Sequence, residues 1–166
     1  GKTFADSLSA SAAKLPILLV KPDAALSDEA KEIAEGRSKF YIIGGEGAVG
    51  EDIADELSAY GEVVRVFGKT RYETSVAVAN TFFADVDAAV VASGKNFPDG
   101  LCGGPLAATM NSPLILTADG KTDAAEAYMA DGEIISGYVL GGIDALGDEA
   151  VVDIFALESV EEIVLR

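Results

Sequence analysis

Apolar residues fall along this chain in two alternating rhythms. Ala88-Ala89-Val90-Val91-Ala92 and Pro113-Leu114-Ile115-Leu116-Thr117 are short, nearly continuous apolar runs, the pattern of strands buried on both faces. Glu62-Val63-Val64-Arg65-Val66-Phe67 is a β-branched run ended by Gly68, and Gly137 to Leu140 is a further strand that runs into Gly141-Gly142. Between the 62–67 and 88–92 strands, Tyr72, Val76, Ala79 and Phe83 lie on one helical face, and Thr70-Arg71-Tyr72-Glu73 forms a capping box at its start. Helices are predicted over about 100–110 (small residues), 122–130 and 148–156, with 161–165 closing the pattern. Apolar strands alternating with helices predict parallel sheets covered on both faces, a three-layer Rossmann-like α/β architecture.

The pattern repeats. Pro16-Ile17-Leu18-Leu19-Val20 matches Pro113–Thr117, and Tyr41-Ile42-Ile43-Gly44-Gly45 matches Tyr138-Val139-Leu140-Gly141-Gly142, both at an offset of 97 residues (113 less 16). Gly1-Lys2-Thr3-Phe4-Ala5-Asp6 matches Gly94-Lys95-Asn96-Phe97-Pro98-Asp99 at 93, so the first copy is four residues shorter between its Asp and its Pro. That is about one helical turn. Residues 1–62 thus read as a partial first unit lacking an opening strand and helix, and 63–166 as a complete second unit. Because the repeat opens mid-pattern, the sequence reads as a piece of a longer protein, with an open sheet edge or a covering from another chain expected where the opening strand is missing.

Charge narrows the function. The 166 residues carry 28 Asp+Glu against 12 Lys+Arg, a formal charge of −16, and no histidine. A field this negative repels nucleic acid. With one cysteine, Cys102, and no His, the usual zinc ligand sets, Ser-His-Asp and Cys-His catalysis and an intrachain disulfide are all excluded. At 49% hydrophobic residues and a mean hydropathy of +0.28 the chain has a real core to bury, and no apolar run approaches the roughly 20 residues of a membrane helix.

Ligands of parallel α/β sheets bind beyond the strand carboxyl ends. That edge is predicted to hold Lys69, Arg71, Tyr72, Lys95, Phe97, Asp99, Lys121 and Gly141 to Gly147, and in the partial copy Lys2, Asp6, Lys21 and Gly44 to Gly50. Six of the 12 basic residues (Lys2, Lys21, Lys69, Arg71, Lys95, Lys121) therefore gather on one edge, which makes local potential rather than net charge the relevant quantity. Gly45-Glu46-Gly47-Ala48-Val49-Gly50 matches the dinucleotide fingerprint. Yet the next strand ends Val66-Phe67-Gly68-Lys69 without the ribose-binding acid, Glu46 sets a carboxylate in the loop, and the other copy has Asp144 at the second glycine. A strand-to-helix turn is the plainer reading. Asp6 and Asp99, each following Gly-Lys-x-Phe-x, are either helix N-caps or ligand contacts. Arg71, a cation in a first helical turn where the macrodipole disfavours it, is either a ligand contact or an ion-paired residue, with Glu73 or Asp99 as partner. Cys102 reads as a packing residue of a buried helix.

The segments Gly68-x-x-Arg71-Tyr72-Glu73-Thr74-Ser75, Ala92-Ser93-Gly94-x-x-Phe97-x-Asp99-x-Leu101, Pro105-Leu106-Ala107-Ala108, Pro113–Thr117 and Tyr138–Gly142 together resemble the cell wall binding repeat 2 family of Gram-positive surface proteins. The resemblance spans essentially the whole chain. It implies Rossmann-like, also termed Toprim-like, units and a non-catalytic, extracellular anchor. It also implies three modules packed about a pseudo-threefold axis and noncovalent attachment to an anionic cell-wall polysaccharide, with no cofactor and no metal. The family's Pro-Ile-Leu-Leu segment falls on Pro16–Leu19 and Pro113–Leu116, which the residues alone describe equally well as strands. An attached hydrolase elsewhere in such a protein would not make these residues catalytic. Two readings stay open beside the anchor: a nucleotide- or phosphosugar-binding enzyme domain using the Gly45–Gly50 turn, and a structural spacer.

Overall fold

The computed structural model describes residues 3–22 and 24–164. In chain order it runs α1 (Ala5–Ser11), α2 (Asp28–Ala34), β1 (Lys39–Ile43), α3 (Glu51–Ser58), β2 (Glu62–Val66), α4 (Arg71–Phe82), β3 (Ala88–Ser93), α5 (Pro98–Met110), β4 (Leu114–Thr117), α6 (Asp123–Asp131), β5 (Ser136–Leu140) and α7 (Asp148–Phe155), then a 3-10 turn over Val160–Glu162. All strand pairing is parallel, in a three-stranded sheet β4-β3-β5 and a two-stranded sheet β1-β2. The Rossmann-like α/β expectation holds, with helices on both faces of the larger sheet.

Side-chain alternation on β3 and β4 sorts the core into two layers. Ala89, Val91 and Ile115 pack on α6 and α7 through Ala125, Met129, Val151 and Ile154. Val90, Ala92, Leu114 and Leu116 pack the opposite way on α5 and α1 through Ala107, Ala5, Leu8 and Ala12. The second contact joins the two copies, because α1 belongs to the first and β4 to the second. It is close: a Cβ on Gly104 of α5 would lie 1.9 Å from Ser11 Oγ, and one on Gly100 would lie 2.7 Å from Leu8 Cδ1, so glycine is what lets the two helices meet. A smaller core of Leu26, Ala30, Ala34, Ile42, Ile53 and Leu57 holds α2 and α3 on the β1-β2 sheet. Helix α4 bridges the two sheets. Its Phe82 ring meets Tyr41 of β1 edge-on at 4.7 Å, and its buried Ser75 hydroxyl accepts the Leu116 N–H of β4 at 2.9 Å, closing that strand's outer edge.

Several expectations are corrected. β2, placed by the repeat at the head of the second unit, is paired with β1 over Lys39↔Glu62 to Ile43↔Val66, so the first sheet ends after β2. Pro16–Val20, despite copying the sequence of β4, forms no strand and leaves Ile17, Leu18 and Leu19 exposed. Its counterpart β4 is a strand because β3 lies beside it, and the described residues put no such neighbour beside 16–20. The 161–165 segment closes as a 3-10 turn with its own capping box at Ser159 and Glu162, Leu165 lying outside the described residues. Cys102 is exposed, because the buried stripe of α5 is Gly100, Gly103, Gly104 and Ala107 at helical spacing.

Candidate functional site

At the carboxyl edge of the β1-β2 sheet, next to the α1–α4 contact, is a cavity of about 310 Å³ lined by residues that include Asp6, Gly45, Gly47, Lys69, Thr70 and Arg71. Helix α4 positions its basic rim. The Thr70 hydroxyl caps α4 by accepting the Glu73 N–H at 3.2 Å, while the Glu73 carboxylate reaches one residue further back than a reciprocal box requires and accepts the Lys69 N–H at 2.6 Å. That pair of bonds fixes the Gly68–Arg71 corner. From it Arg71 donates Nη1–H to the Gly94 carbonyl at 2.6 Å, and its guanidinium stands 5.4 Å from the Phe4 ring centroid, a cation–π distance. Arg71 is ion-paired with neither Glu73 nor Asp99 among the described residues; the acid that feels its charge is Asp6. One neutral acceptor and one aromatic face leave guanidinium donors for a ligand.

Neither Asp6 nor Asp99 is a helix cap. The N-cap residues are Phe4 and Phe97, and each Asp is the second residue of its helix. Both carboxylates lie instead over a glycine turn. Gly44 and Gly141 share a φ of +109°, and a Cβ on either would sit 2.8 Å from Oδ2 of Asp6 or Asp99 respectively. Burial raises the Asp6 carboxyl above its ordinary 3.8, and the Arg71 charge only partly opposes this. An acid whose folded pKa is raised favours folding while protonated and loses that contribution as the pH climbs through the raised value. Asp6→Asn is therefore expected to melt no lower than the parent at pH 7, with any advantage vanishing as the pH falls toward 3.8. Calorimetric melting temperatures across that range check it, and a lower melting temperature at pH 7 would refute it.

The remaining sequence candidates divide. Phe97 is exposed and meets Phe4 edge-on at 6.1 Å, beside Arg71. Tyr72 is half-buried against the α1–β4 core, its ring directly beneath Gly94. Lys95 belongs to the edge of the second sheet, with Nζ 3.5 Å from Asp119 Oδ2. The other Asp119 oxygen accepts the Gly147 N–H at 2.9 Å, a bond that, with Lys95, holds this carboxyl below its ordinary range. Lys2 lies outside the described residues. Asp6, Lys69 and Arg71 thus share one cavity, and Lys95 and Asp99 are not in it.

One residue escaped sequence reasoning altogether. Arg65 of β2 donates to the Gly44 and Val49 carbonyls at 3.2 and 2.8 Å and pairs with Glu51 at 2.5 Å, bracing the glycine turn from beneath. Its only signal was a charge amid the valines of a strand. Packing explains two glycines here, since Gly44 faces Asp6 and a Cβ on Gly50 would meet the Pro22 carbonyl at 2.7 Å; one on Gly47 would meet nothing within 4 Å.

Two parallel sheets joined by shared helices, with an arginine-bearing cavity at the carboxyl edge of the first, make this a tandem α/β module. The chain belongs to the cell wall binding domain 2 family, whose model matches residues 1–54 and 65–152. An amidase enhancer of Bacillus subtilis (strain 168) is 34% identical over 107 residues, 64% of this chain and 15% of the relative. Among solved structures, Cwp8 from Clostridium difficile is similar at a TM-score of 0.76 and 26% identity, over 91% of this chain and 27% of that one. Cwp6 from the same organism has the same fold at a TM-score of 0.80 and 23% identity, over 93% and 26%. The chain spans about a quarter, or less, of the length of these relatives. Among the described residues no helix is long and apolar enough to cross a membrane.

Proposed function

We propose that this chain is a non-catalytic module that anchors a bacterial surface protein to the cell wall from outside, by noncovalent binding of an anionic wall polysaccharide. The observation that carries this reading beyond family membership is Arg71, held at a cavity rim by a carbonyl and an aromatic ring, with Lys69 beside it and no carboxylate within ion-pair distance among the described residues. In a chain of charge −16, an unneutralised cation fixed at one edge is a local attractor for acid groups. The glycine turn offers less to a nucleotide, since its last glycine, Gly50, is packed on the Pro22 carbonyl and the strand after it ends without a ribose-binding acid. Residues 1–62 serve as a partial first repeat and 63–166 as a complete second. Further repeats, or another chain, pack on the apolar residues left open: Leu101 on α5, 58% exposed where its counterpart Leu8 is buried, and Ile17 to Leu19.

Sedimentation with purified Gram-positive walls, before and after chemical removal of their secondary polymers, tests the reading. Retention should depend on the polymer. Arg71→Ala should weaken it by about 1.5–3 kcal/mol, the worth of a charge-assisted hydrogen bond, or roughly 10- to 100-fold, while leaving the melting temperature nearly unchanged. Retention indifferent to polymer removal, together with a thermal shift on adding NAD or ATP, would favour a nucleotide-binding domain.

A further inference from the structure

The two repeats carry the same aspartate on the same turn, but among the described residues Arg71 shares a cavity with Asp6 and not with Asp99. Asp6 lies over Gly44 with Ala48 behind it, and Asp99 lies over Gly141 with Ala145 behind it, at matching distances: 2.8 Å for both carboxylates, 3.0 and 2.9 Å for the alanines, measured from a Cβ built on each glycine. Arg71 belongs by sequence register to the second repeat, yet the carboxylate that feels it is Asp6 of the first, and the ring beneath it is Phe4 of the first. Only its backbone acceptor, Gly94, comes from the second. Of the described arginines other than Arg71, Arg65 is spent on the Gly44–Glu51 turn and Arg37 lies next to the amino end of β1, at the opposite edge from the site.

We propose that each ligand site of this module is assembled at a junction of successive repeats, the earlier repeat supplying the aspartate on its glycine turn and the later one the arginine. Such a site takes an acidic sugar polymer, with the acid group on the arginine and a sugar hydroxyl on the carboxylate. In this chain Asp6–Arg71 is a complete site and Asp99 is half of one, completed when a further repeat, in the same polypeptide or another, brings its own α4-type helix start against the Gly141 turn. The number of sites then follows the number of junctions, so avidity for a long polymer grows with each repeat added. The inference rests on the wall-anchoring reading for its ligand and, for its pairing, on the cavity that Asp6 and Arg71 both line and on the Phe4 ring beneath the guanidinium.

Two measurements on the chain as it stands decide it. In wall sedimentation, Asp6→Asn and Arg71→Ala should each reduce retention about tenfold or more, and the double variant should lose little beyond either single one. In carboxyl-carbon NMR titrations, Arg71→Ala should raise the Asp6 midpoint. Additive losses of retention in the double variant, or an Asp6 midpoint indifferent to Arg71→Ala, overturn the junction. If the parent chain itself ignores the wall, the anchoring reading falls, and the NMR titration still decides whether the arginine and aspartate of different repeats are paired.

Discussion

Leu116→Ala is expected to lower stability by about 2–5 kcal/mol, the range for truncating a fully buried leucine, and to do so in one cooperative step that includes both repeats. Leu116 is wholly buried in β4, in the core layer that Ala5, Leu8 and Ala12 of α1 complete from the first repeat. Its N–H is held by Ser75 of α4, the helix whose Phe82 packs on Tyr41 in the other sheet. A cavity there loosens the contact that makes the two repeats one body. Because a domain of this size is stable by only about 5–15 kcal/mol, the loss should be visible as a large fall in the urea midpoint. Backbone amides of α2 and α3, remote from the substitution, should lose exchange protection at the same urea concentration as those of β3. Two separate transitions, with α2 and α3 surviving at the parental midpoint, would mean that the repeats fold independently and that the α1–β4 contact is incidental.

What the sequence discloses about such a molecule is whatever a segment settles by itself. β3 is legible because its first five residues are an unbroken apolar run, all buried, with no polar position among them to suggest another element. α4 is legible through its face and its Thr70 cap. Pro16–Val20 shows the limit: the same pattern as β4 yields a segment that forms no strand and leaves Ile17 to Leu19 exposed, because a strand is a relation between two segments and the partner cannot be read from either one. Arg71 shows it again for chemistry. Its mismatch with the helix dipole marked it as unusual, but the acid that lines the same cavity stands 65 positions away (71 less 6) in another repeat, while Asp99, nearer in sequence and in the same unit, does not line it. Cys102 was misread for a related reason. Where helix α5 meets the core it does so through glycines, so that α1 can approach, and the apolar cysteine and Leu101 are turned outward.

Equal glycine turns with unequal arginines give the second large effect. Gly44→Ala and Gly141→Ala should destabilise the fold alike, by about 1–3 kcal/mol each, the cost of holding a non-glycine residue in a disfavoured region. Both backbones sit at φ +109°, and in both a methyl group would press on an aspartate oxygen and on an alanine Cβ at 2.8–3.0 Å. Binding should separate them. The methyl at Gly44 displaces Asp6 from the cavity that Arg71 lines, so wall retention should fall about tenfold or more, comparable to losing the charged hydrogen bond. The methyl at Gly141 displaces Asp99, which lines no such cavity here, so retention should be kept once the measurement is made well below the variant's melting temperature. Urea midpoints and sedimentation on the same preparations supply both numbers. Equal loss of retention in the two variants would show that the aspartates act through the fold they support, and equal retention would show that the carboxylate at Gly44 takes no part in holding the polymer.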